Sequence, residues 1–297
     1  MKSLGRLLTA MVTPFNEEGE VDYEQSKRLA LALLSSGSEG LVVSGTTGET
    51  PTLSQQEKLR LFQEVKSAVG ENGAVIAGTG NYNTAESLEL TKEAERIGVD
   101  ACLLVVPYYN KPTQEGLYQH FKTIAQGTSL PCILYNVPSR TVTSLATETI
   151  ITLSSIDNII GVKEASGNLD QISKIISGAS KGFLVWSGND SDTLPILALG
   201  GYGVISVASH LVGNQIKEMI DNFVNGKIEE AATIHRRLLP LINVLFIISN
   251  PMPVKYAINH IGFRVGKPRL PLTGPDEKSA TLIKETLKEY HIDLAVP

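Results

Sequence analysis

Ala74-Val75-Ile76-Ala77-Gly78, then Thr84–Ile97 behind a capping Asn83, then Gly98, then Ala101-Cys102-Leu103-Leu104-Val105-Val106: this stretch decides the fold. Both short runs are apolar at nearly every position instead of alternating, which is the pattern of strands covered on both faces. Between them, Asn83 is a side chain suited to accept the first orphan amides of a helix, and Gly98 suits its left-handed end. A strand, a helix and a second buried strand make a parallel crossover unit.

The same unit recurs along the chain. Strands are predicted at Leu7–Val12, Gly40–Ser44, Ala74–Gly78, Ala101–Val106, Cys132–Asn136, Ile159–Lys163, Phe183–Ser187 and Val204–Val207. Helices are predicted in the gaps, including Tyr23–Ser36 after Asp22 and Gln55–Val69 after Ser54, with Gly37 and Gly70 behind them. Eight such units in about 210 residues predict an α/β fold, a closed (β/α)8 TIM barrel with a C-terminal helical extension. A doubly wound open sheet is the competing architecture. It would more often carry a glycine-rich phosphate turn after its first strand, where this chain has Thr13-Pro14-Phe15-Asn16. From about Val212 the pattern turns wholly helical: Gln215–Asn225, Ile228–Ile248, Pro253–Ile261 and Pro275–Tyr290. The expected division is a catalytic barrel over 1–224 and a helical region over 225–297.

Bulk properties exclude several classes. Of 297 residues, 42% are hydrophobic and 19% charged, which suits a globular chain with a large core. The net charge of −5 argues against a nucleic-acid binder. No run of about 18 apolar residues predicts a membrane span. Residues 1–15, with Lys2 and Arg6, lack a convincing signal-peptide pattern, so a cytoplasmic location is the default. Cys102 and Cys132 lie in strand-like segments and read as buried structural thiols, and the five scattered histidines form no ligand pair, so no metal and no cofactor are expected.

In a barrel, the residues at the C-terminal ends of the strands converge on one site. Here those positions carry Gly45-Thr46-Thr47-Gly48-Glu49, Pro107-Tyr108-Tyr109-Asn110, Tyr135-Asn136-Val137-Pro138-Ser139-Arg140, Lys163, Ser187-Gly188-Asn189-Asp190 and Ser206. Lys163 closes the apolar run Ile159-Ile160-Gly161-Val162. Desolvation penalises an ammonium ion, so a lysine in that setting is a candidate for imine formation with a carbonyl substrate. The competing reading is a lysine that snorkels from the strand end onto Glu164. Each other residue also has a plain alternative: Gly45–Gly48 as an ordinary turn, Tyr135 as core, Arg140 as a surface ion pair, Tyr108 and Tyr109 as interface aromatics. Their convergence at one mouth favours a site.

The motifs Gly45-Thr46-Thr47-Gly48-Glu49, Tyr135-Asn136-Val137-Pro138-Ser139-Arg140-Thr141 and Gly161-Val162-Lys163-Glu164 resemble those of the pyruvate-dependent class I aldolases. The resemblance covers essentially the whole chain, including Asn250-Pro251-Met252-Pro253-Val254-Lys255. It implies that Lys163 forms an imine with pyruvate, that Tyr135 shuttles protons with Thr46 and Tyr109, and that Thr47 and the Ile205 backbone hold the pyruvate carboxylate. Arg140, with Gly188 beside it, would receive a second substrate. Ser139-Arg140-Thr141 is most similar to the branch whose second substrate is L-aspartate 4-semialdehyde, in diaminopimelate and lysine biosynthesis. Branches acting on N-acetylneuraminate or 2-keto-3-deoxygluconate usually lack that arginine. A barrel that merely binds a carboxylate is a further alternative. The resemblance also implies a homo-oligomer, a tetramer built as a dimer of dimers, with Tyr109 entering the neighbour's site. Finally, members inhibited by lysine usually carry two histidines and an asparagine where this chain has Gln55, Lys58 and Tyr82 beside Glu86 and Tyr108. Weak or absent inhibition by lysine is expected.

Overall fold

The computed structural model describes residues 4–296; residues 1–3, with Lys2, and residue 297 lie outside them. Among the described residues eight strands close into one barrel, every neighbouring pair parallel, with the last strand returning to the first. They are β1 (Leu7–Ala10), β2 (Gly40–Val43), β3 (Ala74–Gly78), β4 (Ala101–Val105), β5 (Cys132–Asn136), β6 (Ile159–Glu164), β7 (Leu184–Ser187) and β8 (Gly203–Ser206). The crossovers hold α1 (Tyr23–Ser35), α2 (Gln55–Val69), α3 (Thr84–Ile97), α4 (Gln114–Gln126), the single turn α5 (Pro138–Thr141), α6 (Thr147–Leu153), α7 (Leu169–Gly178) and α8 (Thr193–Ala198). After β8 come α9 (Ser209–Val224), which completes the eighth unit, and then α10 (Ile228–Val244), α11 (Met252–His260) and α12 (Glu277–Lys288). None of these helices is long and apolar enough to cross a membrane.

The local chemistry explains the elements. Asp22, Ser54 and Asn83 each accept a hydrogen bond from an amide in the first turn of the following helix, and Ser54 forms a reciprocal capping box with Glu57. Gly98 ends α3 at φ 87°, a conformation that a Cβ would strain. On α4, Leu117, Phe121 and Ile124 recur at helical spacing and are fully buried against the outer faces of β4 and β5. Each such side chain contributes roughly 1.5–3 kcal/mol of burial. Along each strand, alternate residues face the barrel axis; Leu8, Ile76, Leu103, Ile133, Trp186 and Ile205 belong to that inner layer.

Several boundaries differ from the sequence reading. β8 starts at Gly203, not Val204, because only a glycine fits there: a Cβ would collide with the Arg6 carbonyl oxygen where the barrel closes. α9 begins at Ser209 with a break at Val212 (φ −131°), earlier than the predicted Gln215. α10 runs through Pro240 but stops at Val244, short of Ile248, and residues 245–251 turn back toward the barrel mouth. α12 starts at Glu277 since Asp276 is its cap, accepting from the Ser279 amide. Cys102 and Cys132 are register partners on neighbouring strands, both fully buried and unbridged, with sulfurs 3.4 Å apart.

Candidate active site

β5 and β6 set the centre of the site. Tyr135 pairs in register with Lys163, and Lys163 with Trp186, so all three point to the barrel axis. Lys163 is 5% exposed and its Nζ lies 4.3 Å from the centroid of the Tyr135 ring. An amine resting on an aromatic face in this layer has few ways to be solvated. Glu164, the candidate partner in the plain reading of Lys163, is on the opposite face of the strand. Its carboxylate accepts from Asn136 Nδ2 at 3.0 and 3.2 Å and from the Ser166 amide at 2.8 Å. Strand alternation separates the two side chains, and burial raises the Glu164 pKa.

The loop after β2 approaches from the side. Ser44 and Glu49, at φ 56° and 59°, bracket Gly45-Thr46-Thr47-Gly48. A Cβ on Gly48 would lie 3.1 Å from Met11 O and Ser44 N, so the loop packs backbone against backbone. The Thr46 and Thr47 amides have no hydrogen-bond partner among the described residues, whereas Glu49 and Thr50 close the turn onto Thr46 O and Gly45 O. Adjacent unpaired amides form a concavity suited to a carboxylate.

This loop is moored from the C-terminal region, which sequence reasoning did not anticipate. Lys255 Nζ bonds Glu49 Oε1 at 2.8 Å with both side chains fully buried, and Arg269 N donates to Glu49 Oε2 at 2.8 Å. Burial pushes the Lys255 pKa down to about 8 against the opposing charge of Glu49. Arg269 also pairs with Glu57, whose pKa the guanidinium holds near 2. Asn250 Nδ2 donates to Thr47 Oγ1 at 2.9 Å, and the Asn250 carbonyl accepts from Arg140 Nη2 at 3.1 Å. The only signals in the sequence were a lysine inside the apolar helix Val254-Lys255-Tyr256-Ala257-Ile258 and a glutamate directly after Gly48.

The remaining predicted residues distribute as follows. Arg140 is an exposed residue of α5, its guanidinium donating to the Asn250 carbonyl. Ile205 is fully enclosed in the inner layer of β8. Gly188 already spends its amide on Glu164 O at 2.7 Å, and a Cβ there would lie 2.6 Å from Ala165 Cβ, so it offers close approach rather than a free donor. Tyr109 does not join Tyr135 and Thr46 within one chain: it is 93% exposed, at φ 71° on the loop after β4, and no hydrogen bond links the three. Beside that loop, Lys58, Tyr82, Glu86 and Tyr108 line a separate cavity of about 160 Å³, while Gln55 does not line it. Desolvation lowers the Lys58 pKa, opposed by the charge of Glu86. Among the described residues no group of three or more His, Cys, Asp or Glu could hold a metal ion.

The arrangement can therefore present an amine to a small 2-oxo acid whose carboxylate lies on the glycine loop, with a phenol beside the reacting carbon. Known proteins resemble the chain along its whole length. Residues 3–290 match the model of the dihydrodipicolinate synthetase family. A 4-hydroxy-tetrahydrodipicolinate synthase of Dehalococcoides mccartyi is 67% identical over 296 residues, all of both chains. One from Moorella thermoacetica is 54% identical over 285 residues, 96% of this chain and 98% of the other. A crystal structure of dihydrodipicolinate synthase from Bacillus anthracis superposes with a TM-score of 0.96 at 43% identity, covering 98% of this chain and 100% of that one. The enzyme from Cyanidioschyzon merolae with lysine bound superposes at 0.95 with 45% identity, covering 96% and 98%.

Proposed function

The chain belongs to the dihydrodipicolinate synthetase family, and from that premise we propose that it acts as a 4-hydroxy-tetrahydrodipicolinate synthase, condensing pyruvate with L-aspartate 4-semialdehyde in the diaminopimelate route to lysine. The observation that carries this reading is the buried Lys163 Nζ lying 4.3 Å from the Tyr135 ring on the inner barrel face.

Lys163 attacks C2 of pyruvate, and loss of water gives an imine. The imine draws electrons from C3, which gives up a proton to become an enamine. That carbon attacks the aldehyde carbon, whose oxygen takes a proton, and the amine of the second substrate then displaces Lys163 and closes the ring. Tyr135 is the group beside C2 able to carry these protons. Thr46 extends the proton path, and Tyr109, which projects from its own subunit, completes the site of a neighbouring copy. The functional unit is then at least a dimer, and the reading extends to a tetramer made of two such dimers, working in the cytoplasm. The Thr46 and Thr47 amides, the Thr47 hydroxyl and the Ile205 backbone hold the pyruvate carboxylate, and Gly188 lets the second substrate approach closely. No cofactor is needed, because the lysine imine supplies the electron sink.

Arg140 carries the identity of the second substrate. Its planar fork suits a carboxylate, and charge-assisted bonds of this kind are worth about 1.5–3 kcal/mol each. Arg140→Ala is expected to lower kcat/KM for the semialdehyde by roughly 10²–10³-fold while pyruvate still labels Lys163 on borohydride reduction. Full retention of semialdehyde turnover in this variant would assign the enzyme to another branch of pyruvate aldolases.

Lysine is expected to inhibit weakly or not at all, because Lys58 already puts a cation against Glu86 in the cavity near Tyr108. The check is a lysine titration of turnover, and half-inhibition below about 1 mM would contradict the charge argument.

A further inference from the structure

We propose that the Asn250 side chain is a positioning residue for pyruvate: by donating to Thr47 Oγ1 it turns the Thr47 hydroxyl proton toward the substrate carboxylate. This rests on the reading above, in which Thr47 holds that carboxylate. Both residues are nearly enclosed, at 3% exposure for Thr47 and 6% for Asn250, and the Nδ2 to Oγ1 distance is 2.9 Å. An amide nitrogen can only donate, so Thr47 Oγ1 is the acceptor of this bond. A hydroxyl has one proton, and Thr47 Oγ1 makes no other hydrogen bond among the described residues. The proton is therefore left for an acceptor outside the chain, and a carboxylate is acceptor only.

The opposite amide orientation would give the reverse result. Oδ1 facing Thr47 would draw the proton to itself and away from the ligand. In the structure Oδ1 is the unpaired atom instead, buried without a partner. The bond to Thr47 is thus the one hydrogen bond of this side chain among the described residues, and truncating it strands no described polar group except Thr47 itself.

The same residue separates its two contacts chemically. Arg140 Nη2 bonds the Asn250 carbonyl, a backbone atom that every substitution retains. Side-chain variants should therefore disturb pyruvate binding and leave the second substrate's site in place, which a general loosening of the mouth would not do.

The test is the pyruvate dependence of borohydride labelling at Lys163, read beside steady-state KM values for both substrates. Asn250→Ala is expected to raise the half-saturating pyruvate concentration about 10-fold, the scale of one hydrogen bond to a charged group, with the semialdehyde KM within about twofold. Asn250→Asp keeps the volume but can only attract the Thr47 proton, and should raise it further. Thr47→Val should reproduce the alanine effect, and the Thr47→Val/Asn250→Ala double variant should add nothing, since both act through one proton. Should the alanine variant not fold, the aspartate variant and its double with Thr47→Val carry the same comparison. An unchanged pyruvate dependence, an equal rise in both KM values, or additive effects in the double variant would overturn the role of Asn250. Absence of labelling in the unaltered protein would instead sink the imine reading, and this proposal with it.

Discussion

Lys163→Ala is expected to abolish borohydride-dependent labelling by pyruvate and to lower turnover by ~10⁴-fold or more. No other amine can take over: the second buried lysine of this region, Lys255, has its Nζ held by Glu49 at 2.8 Å and by the Lys267 carbonyl at 3.3 Å. A loss of this size corresponds to about 5.5 kcal/mol of transition-state stabilisation. Fold integrity should survive, because the side chain stands at the open end of β6 and no described hydrogen bond depends on its nitrogen. The decisive measurement is the mass of the reduced protein with and without pyruvate. An equal adduct on the alanine variant would move the imine to another lysine and undo the assignment of the whole mouth.

The second large effect lies outside the chemistry. Lys255→Met should destabilise the protein by about 3–5 kcal/mol, because it leaves the fully buried Glu49 carboxylate without its countercharge. Among the described residues the Arg269 amide, at 2.8 Å, would be the one hydrogen-bond donor left to the Glu49 carboxylate. Lys255 sits 4.1 Å from the Phe15 ring centroid and is fully buried, so bulk solvent cannot take the place of the ammonium. Combining Lys255→Met with Glu49→Gln should recover stability to within about 1 kcal/mol of the parent, since a neutral amide still accepts from Arg269 and no charge is left unpaired. Denaturant unfolding of the two variants measures both values. If the single variant were as stable as the parent, the ion pair would not be what moors the glycine loop.

These two lysines illustrate how differently a site can be read from its sequence. Lys163 was legible because its strand context is local: four consecutive apolar positions ending in an amine imply an inner-face residue at a barrel mouth once the eightfold alternation is recognised. The interiors of β3, β5, α2 and α3 were legible for the same reason, since burial on both faces and capping depend on residues a few positions apart. Lys255 was not, because its partner Glu49 lies 206 residues away and neither flanking segment announces the other. Asn250 stands out in the sequence only through the motif of residues 250–255, and its link to Thr47 spans 203 residues. The end of α10 failed similarly: apolar residues continue through Ile248, yet the chain must leave the helix at Val244 for Asn250 to reach the barrel mouth.

By itself, the sequence determined the strand and helix alternation, the closed barrel, and a candidate amine with candidate tyrosine, threonine and arginine residues at strand ends, because hydrophobic periodicity and capping act over one turn or one strand. Only the tertiary structure decided that Lys163 and Glu164 lie on opposite faces of β6, that Tyr109 projects into solvent away from Tyr135, and that the glycine loop after β2 is anchored by Glu49, Lys255, Arg269 and Asn250. The physical reason is that hydrogen-bond and charge partners in a barrel are chosen by proximity at the mouth, where loops from opposite ends of the chain meet, and sequence distance does not constrain that meeting.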